Sequence, residues 1–132
     1  MFSMTIMPRF CETDALGHIN NTVLSQWFET AREPVFRIFN PELSLPGWNL
    51  ILARVEIDYV AQTHYGRSVD LRTWIGKVGN SSFVVEQEAW QEGACVARGK
   101  AVQVFFNYVT QKSEALPAEF RRELEKHLRA AA

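Results

Sequence analysis

The sequence predicts an α+β domain in which one long helix is covered by a mostly antiparallel sheet. Apolar residues recur at steps of three and four through residues 21–39, which is the helical period. Four later stretches alternate apolar and polar residues, as half-buried strands do, and short turns join them. Because hairpin turns connect neighbouring strands, much of the sheet should be antiparallel. The chain has 132 residues, of which 47% are hydrophobic, so we expect a single globular domain over residues 1–132.

The predicted helix carries an apolar stripe along one side. The stripe consists of Leu24, Phe28, Ala31, Val35 and Ile38. Asn20 and Asn21 can cap the helix start, because an asparagine oxygen accepts hydrogen bonds from free N–H groups of the first turn. Pro34 cannot make the helical hydrogen bond at its position, so a kink or a break is expected there.

Four consecutive strands follow the helix. They are predicted at residues 50–59, 68–78, 82–91 and 94–108, with tight hairpins at Gly79-Asn80 and Glu92-Gly93. The core-facing residues of the first three are predicted as Ala53, Val55, Ile57 and Tyr59, then Val69, Leu71, Thr73 and Ile75, then Phe83, Val85 and Ala89. In the fourth strand, small residues should allow the helix or another strand to approach closely; they are Cys95, Ala97, Gly99 and Ala101.

Two shorter elements complete the predicted order. Residues 5–10 are predicted to form a first strand, which Pro8 should confine to a sheet edge or make irregular. Residues 117–128 predict a final amphipathic helix with Phe120, Leu124 and Leu128 on its apolar side. The expected order is therefore strand, long helix, four strands and short helix.

Charge and cysteine content exclude several classes of function. The net charge of −1, from 14 basic and 15 acidic residues, gives no drive toward nucleic acid or an anionic membrane. Cys11 and Cys95 match neither a metal-ligand spacing nor a disulfide framework, so two inert thiols are expected. No apolar run approaches the roughly 20 residues of a membrane span, and no secretory signal is recognisable. The cytoplasm is the expected location.

The loop before the long helix contains several groups that could take part in catalysis. Asp14, Gly17, His18 and Asn21 lie within it or at its end, where the first helical N–H groups have no partner. Such N–H groups can hold the oxygen of a polarised carbonyl, and a nearby carboxylate can act on that carbonyl as base or nucleophile. Local chemistry alone leaves a second interpretation open, in which Asp14 caps a turn and His18 is a surface or core residue.

Two runs of sequence resemble a known family. Residues 12–21 read ETDALGHINN and residues 27–32 read WFETAR. Both resemble the signature of the 4-hydroxybenzoyl-CoA-type thioesterases, a branch of the hot-dog superfamily. The likeness extends over most of the chain, and the first run is the more specific one because it joins an acid, a glycine and a helix start.

The resemblance implies the hot-dog fold, in which an antiparallel sheet wraps a central helix, and the hydrolysis of an acyl thioester, usually of CoA. It also implies that Asp14 is the catalytic carboxylate, as nucleophile or general base. Backbone N–H groups around Gly17, His18 and Asn21 would polarise the thioester carbonyl. No metal and no cofactor are implied, since CoA is part of the substrate. Homodimers or homotetramers are implied as well.

Candidate substrate-binding residues come from the sheet. They are Tyr59, Lys77, Gly79, Asn80, Ser81 and Ser82, and a second subunit could supply them. The hairpin between the second and third predicted strands of the four has one lysine where some relatives have several basic residues, so its N–H groups and serine hydroxyls could hold phosphate. Arg54, Arg67 and Arg98 are further candidates, although a solvated strand face explains each of them. Leu24 stands where many relatives have tyrosine, which puts the pocket shape in question.

Other functions and roles stay open at this point. The chain could be a non-catalytic module that binds acyl-CoA, or an enoyl-thioester hydratase that uses Asp14 and His18 together. Glu29 is a reserve catalytic acid, but an ion pair with Arg32, three residues along the helix, is the favoured interpretation. His64 and His127 are expected at the surface.

Overall fold

The computed structural model describes residues 1–130 and contains, within them, one sheet of six strands and three helices. The strands are β1 Phe2–Ile6, β2 Leu50–Tyr59, β3 Val69–Val78, β4 Ser82–Gln91, β5 Ala94–Asn107 and β6 Lys112–Ser113. The helices are α1 Asn21–Ala31, α2 Glu33–Phe39 and α3 Ala118–Glu125. The strands lie in the order β1-β3-β4-β5-β2, all neighbours are antiparallel, and β6 extends β5.

The predicted long helix is divided into two. The backbone N–H of Arg32 closes α1 on the carbonyls of Phe28 and Glu29, and Pro34 lies in the first turn of α2. A proline is compatible with a first turn, where its missing N–H has no helical partner to lose, so the break falls before it. At the other end, the Asn20 side chain accepts from the N–H of Thr22 at 3.0 Å, which confirms the predicted cap.

The first strand begins and ends earlier in the chain than predicted. It occupies Phe2–Ile6 and pairs only with β3, so its predicted edge position is confirmed while its predicted end is wrong. Pro8 has no N–H for a strand ladder, and the chain leaves the sheet there. Phe10–Glu12 then form a short 3-10 turn, in which the Glu12 carboxylate accepts the backbone N–H of Arg9 at 2.6 Å.

The four central strands match their predicted positions to within one residue. The predicted inner residues of β3 are fully buried, and Gln87 joins the inner face of β4 between the apolar side chains. In β2 a bulge between Leu52 and Arg54 interrupts the register with β5. Because a bulge shifts the alternation by one residue, Leu50 and Leu52 line the helix side together with Val55, which the simple alternation did not predict.

Close packing between α1 and the sheet depends on one glycine. A Cβ built on Gly99 of β5 would come within 3.1 Å of the Phe28 ring. The ring is buried, with 2% of its surface exposed, directly over this position. The predicted small-residue face of β5 is therefore where the helix meets the sheet.

The segment that follows α3 lies alongside β3. Residues 127–129 run along β3, where the carbonyl of His127 accepts from Ile75 at 2.9 Å and the N–H of Arg129 donates to Ile75 at 2.8 Å. The final helix is shorter than predicted: Leu124 is fully buried, but Leu128 lies beyond the helix and is half exposed. His127 and His64 are partly buried rather than at the surface. Among residues 1–130, no helix combines the length and apolar character needed to cross a membrane.

Candidate active site

The loop from Asp14 to His18 folds around its own carboxylate. Asp14 Oδ1 accepts from the N–H of Leu16 at 2.7 Å and from the N–H of His18 at 3.2 Å. The Asp14 N–H donates to the His18 carbonyl at 2.7 Å, so the loop is closed from both sides. Gly17 has φ of 77°, a left-handed conformation that glycine adopts without strain. The carboxylate is exposed to solvent and held in one orientation by backbone groups.

A neighbouring segment clamps this loop in place. The N–H of Ile19 donates to the Thr63 carbonyl at 2.7 Å, and the N–H of Tyr65 donates to the Gly17 carbonyl at 3.2 Å. The rings of His18 and His64 lie edge to face, with centroids 5.2 Å apart. Residues 17–19 and 63–65 therefore form a short antiparallel bridge.

The buried side chain of Gln91 fixes the clamping segment, a role that no sequence pattern indicated. Its Oε1 accepts the His64 N–H at 2.9 Å, while its Nε2 donates to the carbonyls of His64 at 2.9 Å and Arg67 at 3.1 Å. Gln91 ends β4, so the sheet holds the Asp14 loop through two successive sets of hydrogen bonds.

Glu12 anchors the other end of the same loop. Its buried carboxylate accepts the Trp27 indole N–H at 3.0 Å, and its carbonyl accepts the Asn20 N–H at 2.8 Å. Burial would raise the pKa of Glu12, but hydrogen bonds from the Arg9 amide, the Trp27 indole and the Arg9 guanidinium together lower it below its usual 4.5. A charged Glu12 thus ties the loop to α1.

A cavity of about 430 Å³ opens at the start of α1. It is lined by Ile19, Asn21, Leu24, Tyr59, Val60, Ala61, Gln62 and Thr63. The Tyr59 hydroxyl donates to the Asn21 carbonyl at 2.9 Å, which ties the end of β2 to the helix start. Leu24, the residue that departs from the family pattern, forms part of the wall. Most of the lining side chains are apolar, so they suit an acyl group.

The three predicted carbonyl-polarising N–H groups differ in their availability. The His18 N–H is engaged by Asp14 Oδ1, and the Gly17 N–H makes only a 3.5 Å contact with the Asp14 carbonyl. The Asn21 N–H has no acceptor among residues 1–130, whereas Asn20 satisfies the next two N–H groups of the helix. Asn21 also lines the cavity. It is the best placed of the three to receive a ligand oxygen.

Within one chain, the predicted phosphate-binding hairpin is remote from Asp14. Ser82 pairs with Val104 and Leu50 with Phe105 at one end of the sheet, while Tyr59 pairs with Ala97 at the end that carries the Asp14 loop. The structure does not bring residues 77–82 and Asp14 together in a single chain.

The hairpin itself is held by its own backbone and by α3. The Gly79 N–H donates to the Ser82 carbonyl at 2.7 Å, so it is not free for an anion. Arg121 of α3 donates to the Gly79 carbonyl at 2.7 Å and brings a guanidinium beside the hairpin, which sequence reasoning missed. Lys77 lies apart from the turn, in a hollow of about 280 Å³ on the outer sheet face.

The three other candidate arginines have acidic neighbours. Arg54 pairs with Glu56, and Arg67 pairs with Glu92 at 3.2 Å. Arg98 lies in register between Asp58 of β2 and Glu88 of β4. These contacts agree with solvated strand faces.

The expected ion pair between Glu29 and Arg32 is not formed. Glu29 is exposed, whereas Arg32 is 4% exposed and donates to Gln87 Oε1 at 3.2 Å. Among residues 1–130, the Arg32 Nε has no hydrogen-bond partner. Burial lowers the pKa of Arg32, and the charge of Glu29 partly offsets that effect. The break between α1 and α2 carries this guanidinium into the core, which the spacing alone did not predict.

The architecture agrees with the comparisons to known proteins. The family model of the thioesterase-like superfamily matches residues 8–124. The chain belongs to this superfamily. The predicted hot-dog fold is thereby confirmed, and the protein is a hydrolase that acts on thioesters.

Solved thioesterase structures superpose on nearly the whole chain. A predicted thioesterase from Bacillus stearothermophilus is 40% identical with a TM-score of 0.96, covering 99% of this chain and 98% of that one. A thioesterase from Thermus thermophilus, in complex with coenzyme A and Zn, is 28% identical with a TM-score of 0.83, covering 92% of this chain and 95% of that one.

A curated plant relative is much longer. A chloroplastic acyl-[acyl-carrier-protein] hydrolase of Cuphea viscosissima is 27% identical over 128 residues, which are 93% of this chain but only 28% of the relative. The chain therefore spans less than a third of that protein's length.

Proposed function

We propose that this thioesterase hydrolyses acyl-CoA thioesters with Asp14 as its catalytic carboxylate. The observation that carries the proposal is the orientation of Asp14 by the N–H groups of Leu16 and His18, in the loop that leads directly to the free Asn21 N–H. The coenzyme A in the Thermus thermophilus relative supports CoA as the carrier. The resemblance to the 4-hydroxybenzoyl-CoA branch remains a prediction.

The reaction needs only the groups of this loop and water. The thioester oxygen accepts a hydrogen bond from Asn21 N–H, which stabilises the negative charge that develops on it. Asp14 either attacks the carbonyl carbon or removes a proton from the attacking water. The carbon–sulfur bond then breaks, and CoA leaves as a thiolate that takes up a proton. Attack by water gives the carboxylate product directly, whereas attack by Asp14 gives a mixed anhydride that a water molecule hydrolyses to the carboxylate product and free Asp14. The proposed reaction uses no metal and no cofactor.

We propose further that the working enzyme is a homodimer or a dimer of dimers. The Asp14 loop and the 77–82 hairpin lie at opposite ends of the sheet in one chain. A second, antiparallel copy would place its hairpin end beside the first copy's loop. The site would then combine Asp14 of one subunit with sheet residues such as Tyr59, Lys77 and Ser82, which the other subunit could supply.

The test is hydrolysis of acyl-CoAs from acetyl to palmitoyl, with benzoyl-CoA included, followed with a thiol reagent. We expect Asp14→Asn to lower kcat by about 10²–10⁴-fold, the range that positioned acid–base groups contribute. Asp70→Asn is the matched control, because Asp70 lies on the β1–β3 edge and its carboxylate accepts a hydrogen bond from Thr5, away from the loop. Wild-type rates for Asp14→Asn would exclude the proposed role.

The same assay separates the alternatives. The plant hydrolase supports acyl-carrier-protein thioesters as a second substrate class, so acyl-carrier protein belongs in the panel. Loss of enoyl absorbance with crotonyl-CoA would indicate a hydratase that uses Asp14 and His18. Tight acyl-CoA binding without turnover at any chain length would indicate a non-catalytic binding module.

A further inference from the structure

A groove runs between the helices and the inner face of β2. It consists of two hollows of about 270 Å³ each, which adjoin because Glu29, Arg32 and Leu52 line both of them. The other walls are mostly apolar, with side chains from α1, α2, β2 and the segment before β2. These apolar residues are Phe28, Phe36, Trp48, Leu50, Val55 and Ile57.

The groove continues the cavity at the start of α1. Leu24 and Tyr59 line that cavity, whereas Phe28 and Ile57 line the adjoining hollow. Phe28 lies one helical turn beyond Leu24, and Ile57 lies on the same strand face as Tyr59, two residues earlier. At a rise of 1.5 Å per residue, the groove follows α1 for about 16 Å from the helix start to Arg32. An acyl chain whose thioester lies at the helix start can therefore extend toward Arg32.

The far end of the groove holds a buried guanidinium. Arg32 is 4% exposed, and its Nη1 donates to Gln87 Oε1 at 3.2 Å. Its Nε has no hydrogen-bond partner among residues 1–130. Nε and Nη2 form the side edge of the guanidinium, whose two parallel N–H groups match the two oxygens of a carboxylate. Because a buried cation without a counter-ion is costly, a carboxylate in the groove would stabilise Arg32.

Two polar neighbours determine which group this end of the groove accepts. Gln103 is 3% exposed and lines the hollow beside Arg32, where its amide can donate to an oxygen. Glu29 lines both hollows, but its side chain is exposed to solvent. Water and salt screen an exposed charge more strongly than a buried one. The enclosed end of the groove therefore favours a negatively charged group.

We propose that the groove binds the far end of the acyl chain, and that Arg32 and Gln103 select acyl groups ending in a carboxylate. The substrate class is then a CoA thioester of a long-chain dicarboxylic acid. Its thioester lies at Asn21 and its free carboxylate at Arg32, so the chain must span about 16 Å. This inference rests on the proposed function and specifies its substrate.

Direct binding measures the selection without turnover. Calorimetric titration of Asp14→Asn compares mono-CoA thioesters of dicarboxylic acids, from adipoyl to hexadecanedioyl, with plain acyl-CoAs and with methyl esters of the same lengths. Once the chain spans the groove, we expect the carboxylate to improve affinity about 10-fold or more, as hydrogen bonds to a charged group do. Adipoyl-CoA is too short to reach Arg32 and should show no preference. Equal affinities of carboxylates and methyl esters at every length, or a full preference already at adipoyl-CoA, would overturn the proposal.

Variants in the groove test which residues select the ligand. Arg32→Gln should abolish the preference for the carboxylate and leave the affinity for plain acyl-CoA unchanged. Glu29→Gln should increase the preference, because it removes a competing negative charge at the exposed side of the groove. Arg37→Gln is the matched control, since Arg37 pairs with Glu33 on the surface of α2 at 3.1 Å and does not line the groove.

A preference that survives Arg32→Gln, or that falls equally in Arg37→Gln, would contradict the assignment. If Arg32→Gln does not fold, Glu29→Gln decides, because this exposed position tolerates the change. An unchanged preference in Glu29→Gln would then count against a carboxylate at this end of the groove.

The outcomes for selection and for chemistry are separable. A preference for the carboxylate in a protein that hydrolyses no thioester would refute the proposed function and leave the binding site standing. Hydrolysis that requires Asp14 but proceeds equally with all three series of thioesters, together with equal affinities, would refute this inference alone.

Discussion

Gln91 shows how a residue outside the Asp14 loop can hold that loop in place. Its amide makes three hydrogen bonds to the 64–67 segment, and that segment holds the loop at Gly17 and Ile19. No atom of Gln91 needs to touch the substrate for this effect. Its role is to position Asp14 through the intervening backbone.

We expect Gln91→Ala to lower kcat more than it changes KM. A displacement of the loop by about 1 Å misaligns the carboxylate and can cost up to roughly 10²-fold in rate. Steady-state kinetics over the preferred acyl-CoA measure the two constants separately. A variant that only loses denaturant stability and keeps its kcat would show that Gln91 is purely structural.

Glu12 makes stability depend on pH in the acid range. Its folded-state pKa lies below the usual 4.5, so the native protein binds this proton more weakly than the unfolded chain. The resulting stabilisation is complete above the unfolded-state pKa and is lost as the pH falls through the folded-state pKa.

We therefore expect Glu12→Gln to be less stable than wild type at neutral pH and to lose less stability on acidification. Urea unfolding at a series of pH values, from neutral to well below 4.5, measures this difference. Parallel pH profiles for the two proteins would contradict the assignment.

The roles of some site residues can be predicted from the sequence, and those of others cannot. The Asn20 cap and a turn closed by the Asp14 side chain follow from short-range patterns, and both are in the structure. Gln91 bonds to the 64–67 segment that holds the Asp14 loop, and Arg121 bonds to the hairpin at Gly79, each from a position far along the chain. Their roles depend on strand register and helix placement, which local patterns do not determine.

At the scale of elements, strand positions are well predicted because turns and alternation agree. β2 and β4 have their predicted bounds, since glycine or polar turns flank alternating residues. The first strand lies earlier in the chain than predicted, and the helix breaks just before Pro34 rather than at it. Both differences arise next to a proline, which restricts the conformation of the preceding residue as well as its own. The bulge in β2 was not predictable, since it arises from pairing with β5.

The contact of Gly99 with Phe28 gives a prediction for the helix–sheet interface. Gly99→Ala adds a methyl group 3.1 Å from the ring, so we expect a loss of about 1–3 kcal/mol in the free energy of unfolding. In a Phe28→Leu background the same change should cost less, because the smaller side chain makes room. Equal costs in both backgrounds, measured by urea unfolding, would exclude the contact as the cause.

At the scale of the whole molecule, the uncovered β2 edge links folding to association. If two copies share this edge, dissociation exposes apolar residues such as Val55. Stability should then include a term that depends on protein concentration.

We expect the thermal midpoint to rise with protein concentration. Scanning calorimetry over a wide dilution series measures this rise. A midpoint that is independent of concentration in the wild type would mean that association contributes nothing to stability.

The segment that follows α3 has a practical consequence. Arg129 lies over the Trp74 ring at 4.0 Å and donates to Glu88 at 2.8 Å, on the convex side of the sheet. The Asn21 cavity opens on the concave side, where the helices lie. A fluorophore or a surface linker attached to this convex face would thus lie on the opposite side of the sheet from the Asn21 cavity, so the immobilised protein would keep that cavity facing the solution.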